Sequence, residues 1–87
     1  MAPFGSVEMH PHAIARLAER GVTRAEVERA VNEGERFPAK FGRTGFRKDF
    51  PFNDYWRGTH YSQKQVEVLA VEEDDGWLVI TVISRYF

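Results

Sequence analysis

With 87 residues, 43% of them hydrophobic, the chain has the size of one domain and not two. The absence of cysteine excludes disulfides and thiolate metal sites, and no apolar run approaches the roughly 20 residues of a membrane-spanning helix. A formal net charge of −1 excludes a protein that wraps nucleic acid through bulk charge alone. Charge is nevertheless uneven along the chain. Arg36 to Lys48 holds five cations (Arg36, Lys40, Arg43, Arg47, Lys48) and no acid before Asp49, whereas Glu67 to Asp75 holds five acids. One side of the domain should be positive and another negative.

In chain order, Met1 to Ser6 reads as a frayed terminus without the basic-then-apolar pattern of an export signal, so a cytoplasmic, membrane-free protein is expected. Val7 to Met9 reads as a short extended entry. His10 to Gly34 then predicts two amphipathic helices broken at Gly21. Pro11 suits the first helical position, where no backbone N–H is needed. His12, Arg16 and Arg20 recur every four residues and share a face, while Ile14, Leu17, Ala18 and Val22 are assigned to the core side. Gly21 fits the left-handed residue that ends a helix. Thr23 and Glu26 have the spacing of a capping box, with Val22 and Val27 as its hydrophobic staple. The second helix should bury Val27, Ala30 and Val31 and close at Gly34.

Past Gly34 the hydrophobic period changes from near four to two. Arg36 to Phe41 reads as a strand that Pro38 confines to an edge or a bulge. Gly42 to Gly45 is read as a turn. Phe46 to Phe52 follows as a strand with one mostly aromatic face. Asn53-Asp54 is assigned to a turn, Tyr55 to Tyr61 to a strand with a bulge at Gly58, and Ser62 to Lys64 to another turn. Gln65 to Glu72 is a strong strand, Asp74-Asp75-Gly76 a hairpin signal, and Trp77 to Tyr86 the most apolar strand, expected at the centre of the sheet. Strands joined by short turns pair antiparallel. The expected fold over residues 1–87 is therefore α+β, with two N-terminal helices packed on one face of a four- to five-stranded antiparallel sheet.

The stretch HAIARLAERGVTRAEVERAV resembles the opening signature of a bacterial family known as domain of unknown function 4258. That signature is carried here by His12, Ala13, Arg16, Arg20 and Gly21, with Pro11 where a serine commonly stands. The paired strands QVEVLAVEEDDGWLVITVISRYF resemble the family's later half. The layout is also similar to that of the RelE- and BrnT-like toxins, many of which are ribonucleases held by an antitoxin. The resemblance implies a RelE-like domain, RNA as a partner and an antitoxin-like protein as another.

Metal-free RNA cleavage needs a base near the 2′-hydroxyl, an acid for the leaving oxygen and cations on the phosphate. His12 is the candidate base or acid, because an imidazole is the side chain suited to proton transfer near neutral pH, with Arg16 as its catalytic neighbour. Arg16 and Arg20 have planar forks suited to a phosphate. Arg85 is a candidate for the same phosphate, Tyr86 for stacking on a base, and His60 is the other titrating candidate. Arg43 and Arg47, from the basic tract, are candidate backbone contacts, while the interleaved Phe37, Phe41 and Phe46 are expected to face the core. The plainer reading of the same residues is structural: His12 bonded within the first turn, Arg16 paired with Glu19, Glu8 or a strand acid, and Arg20 in a solvated charge lattice. His10 and His12 are two apart and diverge on a helix, so neither metal nor cofactor is expected. A helix-turn-helix DNA reader is disfavoured, because Glu26, Glu28 and Glu33 offset Arg24 and Arg29 on the second helix. Two functions follow: a toxin-type protein that binds or cleaves RNA, or a non-catalytic interaction module, self-pairing as a homodimer or binding a partner through the edge near Phe37 to Phe41 or the sheet face.

Overall fold

The computed structural model describes residues 6–87. Most of the terminus read as frayed, residues 1–5, lies outside the described residues. The elements are β1 (Val7–Met9), α1 (Pro11–Arg20), α2 (Arg24–Glu33), β2 (Glu35–Pro38), a single 3-10 turn (Lys40–Gly42), β3 (Thr44–Trp56), β4 (Thr59–Glu73) and β5 (Gly76–Tyr86). The strands form one sheet in the order β1-β5-β4-β3-β2, with both helices on one face. Among the described residues, no helix is long and apolar enough to cross a membrane.

The helix pair follows its local signals. Pro11 opens α1, and Gly21 ends it in the left-handed conformation (φ 66°, ψ 34°). Both halves of the Thr23–Glu26 capping box are formed, at 3.1 and 3.0 Å. Val22, Val27, Ala30 and Val31 are buried, each valine worth roughly 1.5–3 kcal/mol. Two expectations fail here. Ile14 is 51% exposed and Ala18 is also exposed; Ala13 takes the buried position instead, with Leu17 packed beside it. The helix is rotated because β1 passes directly into it: the His10 N–H donates to Val79 O (2.9 Å), which fixes how α1 leaves the sheet. Gly34 closes α2 in an extended rather than left-handed conformation (φ −78°), and its N–H still satisfies Ala30 O.

The sheet departs from the expected one in three ways. It is mixed, because β1 pairs parallel with β5 (Val7↔Trp77 to Met9↔Val79), while every other pairing is antiparallel. A three-residue strand pairing with residues some seventy positions away carries no turn signal that the chain could advertise. The central strand is β4, not β5. Its buried Lys64, Val66, Val68 and Ala70 alternate with half-buried neighbours that face away from the helices. The two polar stretches read as turns lie inside strands. Asn53-Asp54 falls within β3, where the register slips between Pro51 and Asp54, and Ser62 to Lys64 runs straight through β4. The connection between these strands is the pair Arg57-Gly58, both with positive φ (52° and 85°), as a tight hairpin of this hand requires. The edge position of β2, implied by Pro38, is as expected.

On the helix-covered face, Phe46 meets Trp77 edge to face (5.0 Å, 79°), and Phe50, Val66, Val68, Val79 and Val82 complete the core. On the opposite face run the rows Glu35–Arg47–Glu67–Ile83 and Phe37–Gly45–Leu69–Thr81. Phe37 lies flat over Gly45, where an added Cβ would come within 2.3 Å of its ring, and Arg47 covers it at 4.4 Å. Only glycine allows that close approach.

Candidate functional site

The residues singled out for chemistry are divided between four places. His12, Arg16 and Arg20 are together on α1, as their spacing requires. The His12 side chain is exposed, and its backbone N–H donates to His10 Nδ1 (3.0 Å), so His10 rather than His12 is the capping residue of α1. Arg16 forms an ion pair with Glu19 across one turn (3.0 Å), a half-exposed contact worth about 0.3–0.5 kcal/mol. Arg20 is half-buried, and its carbonyl, not its guanidinium, is the atom the sheet engages.

That carbonyl belongs to a second group. Tyr86 donates its hydroxyl proton to Arg20 O (2.8 Å), and so does Ser84 (2.8 Å). Lys64 Nζ donates to Gly21 O (2.8 Å) and to Glu26 Oε1 (2.9 Å), and Arg57 donates to Glu19 O (2.8 Å). Consecutive carbonyls at the negative end of α1, left without helical partners by the end of the helix, are thus all taken by side chains of the sheet, two of them cations. Tyr86 is stacked on Trp56 (5.1 Å, 16°) and touches Phe52 and Tyr61. Burial, with the nearby Glu26 charge as a second cause, raises its hydroxyl above the ordinary value near 10. The Tyr86 ring, the candidate for stacking on a nucleobase, is thus engaged within the molecule, as is its hydroxyl.

The remaining candidates are elsewhere. Arg47 and Arg85 occupy strand positions on the sheet face turned away from α1. Arg47 is held between Glu35 (3.4 Å) and Glu67 (3.3 Å), and Arg85 lies beside the Phe87 ring (5.8 Å). His60 is exposed next to the β3–β4 hairpin, edge-on to the exposed Tyr55 (5.2 Å). Arg43 ends the 3-10 turn between β2 and β3, its guanidinium 5.8 Å from the Phe41 ring. The structure therefore gathers His12, Arg16 and Arg20, with Tyr86 under the helix end, and does not bring Arg43, Arg47, His60 or Arg85 to them.

Two features escaped the sequence reading. Lys64, assigned to a turn, is 5% exposed and pairs with the same Glu26 that caps α2. The signal was present, since Lys64 is in phase with Val66, Val68 and Ala70. Phe41, assigned to the core, is 85% exposed in a left-handed backbone (φ 63°). The alternation that placed it inward stops at Pro38, where β2 ends.

Among the described residues, six of the twelve cations form ion pairs: Arg16, Arg24, Arg29, Arg47, Lys48 and Lys64. Glu33, shared by Arg29 and Lys48, is held below the ordinary carboxylate value, first by the Arg29 hydrogen bond. Among the described residues, Arg36, Lys40 and Arg43 have no carboxylate partner. An open cavity of about 300 Å³ lies at the β4–β5 turn, at the same end of the strands as the β2–β3 connection and nearer the β1 edge, lined by Glu8, Glu73, Asp74 and Asp75 together with Ser6, Gly76 and Trp77. No group of three metal-ligating side chains converges among the described residues.

No curated protein and no solved structure matches the chain. Residues 9–84 match the sequence profile described as Domain of unknown function (DUF4258), which covers α1, α2 and all but the ends of the sheet. The chain belongs to the DUF4258 family.

Proposed function

We propose that this protein binds RNA through the basic stretch at the β2–β3 connection and does not cut it. One observation carries the reading: among the described residues, half of the cations without a carboxylate partner fall within eight residues, Arg36 on β2, where it lies over the Trp77 ring (5.0 Å), and Lys40 and Arg43 in the connection to β3. Cations held by carboxylates release few counterions on binding a phosphate chain, whereas unpaired ones release theirs. Cleavage at α1 is not the better reading, because Arg16 is spent on Glu19 and the end of the helix is spent on anchoring α1 to the sheet.

Fluorescence anisotropy with a short labelled RNA tests this. Three contacts to a single strand predict that log K falls with log salt at a slope of about −2. Changing Arg36, Lys40 and Arg43 together to Ala should abolish binding, and the RNA should remain uncut. RNA cut by the parent protein and spared by His12→Ala would instead restore α1 as the working site.

A second reading rests on the sheet face left bare by the helices, where Leu69, Val71 and Leu78 are half-buried and Ile83 is 38% exposed. An exposed apolar row of this kind fits a protein interface. Light scattering that shows a dimer, lost in Ile83→Lys, together with no RNA affinity, would favour it.

A further inference from the structure

We infer that Phe41 is a stacking platform for one unpaired nucleobase, which makes the ligand a single strand rather than a duplex; this deepens the RNA-binding reading and rests on it. Phe41 is the most exposed large hydrophobic side chain among the described residues, at 85%. It is also held in a left-handed backbone (φ 63°, ψ 34°), a conformation that a residue with a Cβ disfavours and that is kept only where the surroundings impose it. Here the surroundings are short and closed. The Ala39 N–H donates to Arg43 O (2.9 Å), the Arg43 N–H donates to Lys40 O (3.2 Å), and Gly42 follows with its own positive φ of 71°. The loop thus spends backbone strain to present an aromatic ring to water.

What surrounds the ring selects the ligand. The Arg43 guanidinium lies over it at 5.8 Å, and Lys40 precedes it in sequence, exposed and without a carboxylate. An aromatic face with flanking cations is the arrangement that grips unpaired strands, since every base offers a π-face and every step a phosphate. A duplex hides its base faces and offers nothing to the ring. A bilayer is a poorer match, because the loop exposes one large apolar side chain where interfacial insertion needs an apolar face of several. The neighbouring phenylalanines show the contrast: Phe37 is covered by Arg47, and Phe46 is buried against Trp77.

Anisotropy with a labelled ten-nucleotide oligo-U RNA, and with an RNA hairpin of matched charge, tests the assignment. Phe41→Ala should weaken oligo-U binding about tenfold, as expected for one lost base stack, and leave the weaker hairpin binding unchanged. Phe41→Trp should retain affinity and show fluorescence quenching on oligo-U beyond that of the parent. The assignment is overturned if the parent binds oligo-U and Phe41→Ala binds it equally, or if the hairpin binds as tightly as oligo-U. It is likewise overturned if Phe41 matters only for sedimentation with anionic phospholipid vesicles. If the parent binds neither RNA, the RNA-binding reading falls with it. Because the ring is exposed, neither substitution disturbs the core.

Discussion

The corner between α1 and α2 and the loop between β2 and β3 are built from the same kinds of residue and used in opposite ways. At the corner, Lys64, Arg57, Ser84 and Tyr86 each donate to one of the carbonyls of Glu19, Arg20 and Gly21, and Lys64 also donates to Glu26. At the loop, among the described residues, Lys40 and Arg43 pair with no carboxylate, and Phe41 is exposed with only the Arg43 guanidinium lying over its ring. The contrast teaches that a tyrosine, a lysine and arginines near a conspicuous helix are not by themselves a site. Where their polar atoms are consumed by the fold, they hold the fold together. The loop keeps its charges and its ring unspent, and it does so against the local preference of the backbone.

Variants can break this contrast, beginning with the largest effect. Lys64→Ala strands Glu26 in a half-buried site and removes a donor from Gly21 O, and should cost roughly 3–5 kcal/mol in urea unfolding. Lys64→Met, which keeps the stem, should recover part of that loss. If Lys64→Ala unfolds like the parent, the corner is not the anchor described. Tyr86→Phe keeps the stacking on Trp56 and loses the hydroxyl, for about 1–2 kcal/mol. The same variant has a pH signature. The folded state holds the Tyr86 proton above pH 10, where the unfolded state has released it, so this stabilising contribution is present below pH 10 and is lost as pH rises through the folded value. Parent stability should fall more steeply above pH 10 than that of Tyr86→Phe.

Phe41→Gly sharpens the comparison from the other side. Relieving a left-handed residue should raise stability by about 1 kcal/mol while RNA affinity falls, the sign expected where strain serves binding. A loss of stability would show that the ring packs on something and is not presented. His12→Ala should change stability by less than about 0.5 kcal/mol, because its side chain is exposed and the cap comes from its backbone N–H and the His10 ring.

Much of the helical region was legible because its rules are local. Pro11, Gly21, Thr23 and Glu26 act within four residues of themselves, and the structure places each as their chemistry requires. The bounds of β3 and β4 were not legible. Asn53-Asp54 and Ser62 to Lys64 have turn composition, yet cross-strand pairing holds them in register, with one bulge absorbing the mismatch. Ile14 was misassigned for a related reason: period alone gives a helix its stripe, but the exit angle from β1 decides which side of the stripe meets the sheet.

The order of elements, the caps and the edge role of Pro38 are properties of the chain itself, because dihedral limits and neighbouring hydrogen bonds act over a few residues whatever the rest does. Which cations remain free was decided only when distant strands came together, because pairing is a matter of distance in space: Glu67 reaches Arg47, and Glu26 reaches Lys64, while among the described residues no carboxylate pairs with Arg36, Lys40 or Arg43.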